Sequence, residues 1–170
     1  MSSLDNDCVH IMGHVLVTSG DESNTGKLGP VQFIYGTLTI SNTSLESLDF
    51  LGNLTNVAVL NDSSPAISLV SNPKLADVSF YSMRFPFSTG PHRVVIQNNA
   101  PNLFYSYYDC IHYQNAIGSY VLYNGGECMQ ILTDVGGNNV IEGEGSNNTK
   151  SGVEYSIPLI WTGMQIYRML

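Results

Sequence analysis

The hydrophobic positions of this chain fall in short runs rather than in long helical stripes. Ile11-Met-Gly-His-Val-Leu-Val17 returns as Ile34-Tyr-Gly-Thr-Leu-Thr-Ile40 with glycine in the same place, and weaker copies follow at Ser68-Leu-Val-Ser-Asn72 and Val94-Val-Ile-Gln-Asn98. The last apolar residues of these runs, Val17, Ile40, Val70 and Ile96, lie 23, 30 and 26 residues apart. A period of that length marks a stacked repeat in which each unit supplies a short strand. Side chains alternate across a strand. Ile11, Gly13, Val15 and Val17 are therefore expected to face inward onto Ile34, Gly36, Leu38 and Ile40. The outward ladder is then His14, Leu16 and Thr18 beside Thr37, Thr39 and Ser41, continuing to Leu69, Ser71, Val95 and Gln97, with Ser68 inward.

The segments between strands repeat as well. Ser44-Leu-Glu-Ser-Leu-Asp-Phe-Leu-Gly-Asn-Leu54, Asn72-Pro-Lys-Leu-Ala-Asp-Val-Ser-Phe80 and Asn99-Ala-Pro-Asn-Leu103 each open on an Asn or Ser turn and continue with spaced leucines. Asn and Ser satisfy backbone groups at a corner, and the leucines fill the interior. After about Tyr105 the pattern fades into the aromatic stretch Phe104–Tyr108, then Cys110 and Cys128, then a Gly/Asn/Glu-rich segment over 136–148 that reads as loop or linker. The expected organisation is a repeat domain over 8–128 and an unassigned Gly/Asn-rich linker and tail over 129–170.

Composition narrows the partners. Six Lys+Arg against 14 Asp+Glu give a net charge of −8, and Lys27, Lys74, Arg84, Arg93, Lys150 and Arg168 are scattered singly. Nucleic acid and anionic membrane surfaces need clustered cations, so neither is an expected partner. At 43% hydrophobic and 12% charged residues the chain can bury a core. Its most apolar late stretch, Ile157–Leu170, is broken by Pro158, Thr162, Gln165 and Arg168, so no membrane span is expected. Met1–Asp7 has neither a basic start nor an apolar stretch, so it does not read as a secretory leader, and a complete chain of this kind would be cytoplasmic.

The string Cys8-Val-His-Ile-Met-Gly-His-Val-Leu-Val17, followed by Gly36–Val57, Leu69-Val-Ser-Asn-Pro-Lys-Leu75 and Ile96-Gln-Asn-Asn99, resembles the receptor L domain. This is the leucine-rich ligand-binding lobe of insulin-type and epidermal-growth-factor-type receptors. The resemblance covers roughly residues 8–128 and rests on four motifs in order. It implies a mainly β fold: a right-handed parallel β-solenoid, leucine-rich-repeat-like, with short irregular returns. It also implies that the family's opening cysteine, here Cys8, lacks its upstream partner, as though the first coil were missing. A bond from Cys110 to Cys128 would correspond to the family's closing disulfide. Three reduced, buried thiols are the alternative reading of an odd cysteine count.

Candidate chemistry outside that resemblance is thin. Sequons stand at Asn42, Asn53, Asn61 and Asn147, and are glycan sites if the chain is secreted. Cys8, His10 and His14 lack a fourth ligand nearby, and structural zinc needs four, so no metal is expected. Gly20 to Lys27 departs from the phosphate-loop spacing, and Leu28 replaces its hydroxyl residue. The acidic pairs Asp5/Asp7, Asp21/Glu22 and Glu142/Glu144 fall in expected loops or termini, and no G-x-S-x-G elbow occurs. The expectation is a non-enzymatic module without cofactor. It would bind an extracellular peptide or protein ligand, or another receptor subunit, through His14, Leu16, Thr18, Thr37, Thr39 and Ser41. The alternative is an intracellular leucine-rich-repeat interaction scaffold.

Overall fold

A computed structural model describes residues 4–128, which lie within a compact unit spanning Met1–Asn139. Positions 129–170, including the expected linker and tail and Asn147, lie outside the described residues. The elements are short parallel strands: β1 (His10–Met12), β2 (Val15–Val17), β3 (Phe33–Tyr35), β4 (Leu38–Ser41), β5 (Asn56–Val57), β6 (Ile67–Val70), β7 (Val94–Gln97) and β8 (Val121–Tyr123). They form two sheets, a three-stranded one ordered β1-β3-β5 and a five-stranded one ordered β2-β4-β6-β7-β8. The described chain is mainly β, with 3₁₀ turns at Glu22–Leu28 and Asp49–Leu51 and one helix, α1 (Tyr107–Ile117).

The expected single strand over 11–17 is two strands in two sheets. Gly13 and Gly36, at φ +138° and +157°, turn the chain between them. Gly36 is held there by sterics: a Cβ on it would collide with the Gly13 carbonyl, so only glycine lets the two corners stack. Pairing of the first two repeats follows the 23-residue offset, with Ile11 opposite Ile34 and Val15 opposite Leu38. At the third repeat the expected register is wrong by one residue. Ile40 pairs with Leu69, and Thr39 with Ser68. Leu69 is therefore buried and inward, Ser68 is outward, and Val70 faces out beside Gln97. A one-residue slip exchanges the two faces of a strand, and the core selects the register that hides Ile67 and Leu69.

The spaced leucines behave as expected. Leu48, Leu51, Leu54 and Leu75 are fully buried and Leu103 nearly so, each contributing about 2 kcal/mol of burial. At the corner where the chain leaves the long sheet, the buried Asn72 side chain accepts from the Thr43 N–H and hydroxyl at 3.0 and 2.8 Å. Its amide nitrogen donates to the Ile40 carbonyl and to Asn99 Oδ1 at 3.0 and 2.9 Å. Asn99 in turn donates to the Leu69 carbonyl. Among the described residues, four non-glycine positions have positive φ, Asn42, Ser71, Asn98 and Asn124, and each follows directly on a strand of this sheet.

The aromatic stretch leads into α1, which begins at Tyr107. Ser106 caps it by accepting from the Asp109 N–H, and Gly118, left-handed at φ 62°, closes it. Cys110 on this helix is joined to Cys128 in a disulfide that ties the helix to the chain just after β8.

Candidate ligand-binding faces

The six outward residues expected to form a ligand face do not act alike. Leu16 and Thr39 stand opposite each other, and the row they begin runs across the long sheet through Ser68, Val95 and Leu122. Ser41 begins a second row with Val70 and Gln97. Leu16 is 55% exposed, an apolar knob at the edge of a field of small, half-buried side chains. His14 and Thr37 engage each other: the Thr37 N–H donates to His14 Nδ1 at 3.2 Å, and the Thr37 hydroxyl lies 3.0 Å from the same nitrogen. Thr18 lies past the strand end, where its N–H and hydroxyl donate to Asp21 at 3.1 and 3.2 Å. The expected continuation through Leu69 is corrected to Ser68 and Val70, since Leu69 has no exposure.

The short sheet carries a second face of different chemistry. Met12 stands opposite Tyr35, and Ala58, following β5, bridges to Phe87. His10 and Phe33 also stand opposite each other, with rings stacked at 4.7 Å, and Tyr35 stacks on both at 6.4 Å. Met12 is 81% exposed and Leu60, just beyond, 63%. Phe85 nearby is covered on one face by the Arg93 guanidinium at 4.7 Å, a cation–π contact. Sequence reasoning missed this face. The available signal was the alternation of His10 and Met12, then of Phe33 and Tyr35, on the N-terminal side of each glycine.

Between the two faces lies a cleft of about 270 Å³ lined by Met12, His14, Tyr35, Leu60, Asn61 and Asp62. The Ser64 N–H, donating to Asp62 at 2.7 Å, holds that carboxyl below its ordinary range, helped by the Ser64 hydroxyl and the nearby His14. Of the sequons, Asn42, Asn53 and Asn61 are exposed, and Asn42 follows directly on Ser41 of the long-sheet face. His10 and His14 are separated by the Gly13 corner, and Cys8, unbridged, donates its thiol to the His10 carbonyl. Among the described residues no helix is long and apolar enough to cross a membrane.

The fold defines a class: a mainly β protein of short parallel strands in two sheets. Residues 7–115, more than half of the chain, match the family described as Receptor L domain, and the chain belongs to that family. Receptor L domains are ligand-binding modules, typically extracellular. No curated protein and no solved structure matches the chain.

Proposed function

We propose that this protein is an extracellular ligand-binding module, a right-handed β-solenoid over residues 8–128, that takes a protein or peptide ligand on the outward face of its five-stranded sheet. It works by binding rather than catalysis, without a cofactor, as a secreted binder, decoy or co-receptor. The observation that carries this reading is the continuous row Leu16, Thr39, Ser68, Val95 and Leu122 in a chain of the receptor L domain family. Small and aliphatic side chains on a rigid sheet form a flat surface suited to a partner's side chains more than to a reacting substrate. The Cys110–Cys128 disulfide supports an oxidising compartment over an intracellular leucine-rich-repeat scaffold. Glycans at Asn42, Asn53, Asn61 and Asn147 belong to the same reading, the one at Asn42 bordering the proposed face.

The test is a binding screen of the full chain, expressed through the secretory pathway, against displayed secreted peptides and growth factors. Thr39→Arg is expected to abolish binding of any ligand so found, while Tyr35→Arg on the short sheet leaves it intact. The reverse pattern would move the ligand to the aromatic face. Failure to recover any displayed ligand would count against the extracellular reading.

A further inference from the structure

A cleft of about 430 Å³ lies away from both sheet faces, between α1 and the segment 76–83. One side of the helix lines it: Asp109, His112, Tyr113, Ala116 and Ile117 recur at the three- and four-residue spacing that puts side chains on one face. Val78, Phe80, Met83, Leu103 and Phe104 supply the apolar remainder. The volume and the apolar lining with few polar groups are those of a small-molecule site.

Two observations indicate what would occupy it. Tyr113 is buried, and among the described residues its hydroxyl is a buried side-chain polar atom with no hydrogen-bond partner. Leaving such a group unpaired is costly, so native interiors rarely do so without a ligand or water in reach. Burial and the charge of Asp77 push the Tyr113 phenol upward, so it stays neutral and keeps both its proton and its lone pairs. The second observation is charge: the lining holds the carboxylates of Asp77 and Asp109 and no Lys or Arg. Asp77 spends Oδ1 on the Ser79 N–H at 2.8 Å, and Asp109 spends Oδ2 on the Ser106 hydroxyl at 3.0 Å. Each carboxylate has a second oxygen with which to meet a cation.

We propose that this cleft binds an apolar amine, its hydrocarbon body against Phe80, Met83 and Phe104 and its ammonium donating to the Tyr113 hydroxyl oxygen and the Asp77 carboxylate. The site is separate from the sheet faces and independent of which face takes a protein ligand. A free amine and the N-terminus of a peptide beginning with an apolar residue share this chemistry.

The experiment is a titration of the isotope-labelled full chain, followed by amide chemical shifts, with 2-phenylethylamine, 2-phenylethanol and 3-phenylpropanoate. The amine is expected to shift residues 76–83 and 107–117 and to bind roughly tenfold more tightly than the alcohol, the difference one charge-assisted hydrogen bond makes. The acid is expected not to bind. Tyr113→Phe and Asp77→Asn should each lower the amine's affinity to about that of the alcohol, and Ala116→Leu, at an exposed helical position, should block all probes. Phe-Gly-Gly with a free N-terminus, compared with its acetylated form, separates a peptide source from a free amine. Equal binding of amine and alcohol, unchanged affinity in a folded Tyr113→Phe, or no shift at these residues would overturn the site, leaving the hydroxyl to a buried water.

Discussion

The two sheets run through the same repeats, and β1/β3 and β2/β4 share the same offset, yet they differ in length and in face. By strand preference alone the short sheet should be the longer one, since Phe33, Ile34 and Tyr35 are stronger β formers than the Ser68 and Gln97 that the long sheet tolerates. The difference lies at the corners. Four of the five strands of the long sheet, all but β2, are left through a positive-φ residue, and two of those corners are joined by the Asn72–Asn99 amides, so the next strand is delivered in register. Among the described residues the short sheet has the stacked glycines and single side-chain bonds from Asn53 to the Gly29 carbonyl and from Thr55 to the Gln32 carbonyl, but no linked amide pair. β5 is reduced to two residues, and the segment after it rejoins irregularly through the Phe87 N–H to Val57 and the Arg84 N–H to Thr55. Corner chemistry rather than strand propensity sets how far each sheet extends.

That contrast can be broken most severely at Asn72. Asn72→Ala should cost about 3–4 kcal/mol, because it strands the Thr43 N–H and hydroxyl and the Ile40 carbonyl in the interior. Chemical denaturation with the disulfide intact measures it, and a loss below about 1 kcal/mol would refute the role given to the amides.

At the glycine corner, Gly36→Ala should cost about 2–3 kcal/mol. Gly13→Ala, with the same kind of backbone but no atom within 4 Å of its Cβ, should cost less. Equal effects would show that close stacking of the corners is unimportant.

A smaller effect is expected on the faces themselves. Phe33→Ala should lose about 1 kcal/mol with the ring stack, whereas Thr39→Ala on the long sheet should stay within about 0.5 kcal/mol. Ser71→Asn should raise stability by about 0.5 kcal/mol, because asparagine accepts the φ of 58° that Ser71 adopts.

The least effect concerns pH. Backbone N–H groups hold the exposed Glu22 carboxyl below its ordinary value, first its own and then those of Ser44 and Gly20 at 3.1 and 2.6 Å. A depressed carboxyl contributes fully above its unfolded pKa and loses that contribution as pH falls through its folded one. Glu22→Gln should therefore lower the neutral plateau slightly, leave the acid end unchanged, and so flatten the acid limb of the stability–pH curve.

Much of the fold was legible because its determinants are local. The glycine-marked repeats, the Asn and Ser corners and the spaced leucines are each a few residues long, and their order carried the family. The third repeat misled because Ser68-Leu-Val offers alternation in either register, and only the packed interior distinguishes Leu69 from Val70. The break at Gly13 was hidden because the inward parity of Ile11 and Val15 reads the same through a corner as along a strand. Helix α1 is weakly patterned, yet Ser106 three residues before Asp109 and Gly118 at its end are cap signals that could have marked it. The aromatic face was signalled by the alternation before each glycine, whereas the Tyr113 cleft joins α1 to the segment 76–83, and no single-strand pattern could join those.

The left-handed residues that end the strands of the long sheet have a further consequence for how this chain can vary. Strand register from one repeat to the next advances by 23, 29 and then 27 residues, so the returns differ in length while the strands stay aligned. Each corner resets the count. Length errors in a return are discarded at the next corner instead of accumulating, which makes the returns the places where insertions are tolerated and the corners the places where a single residue matters.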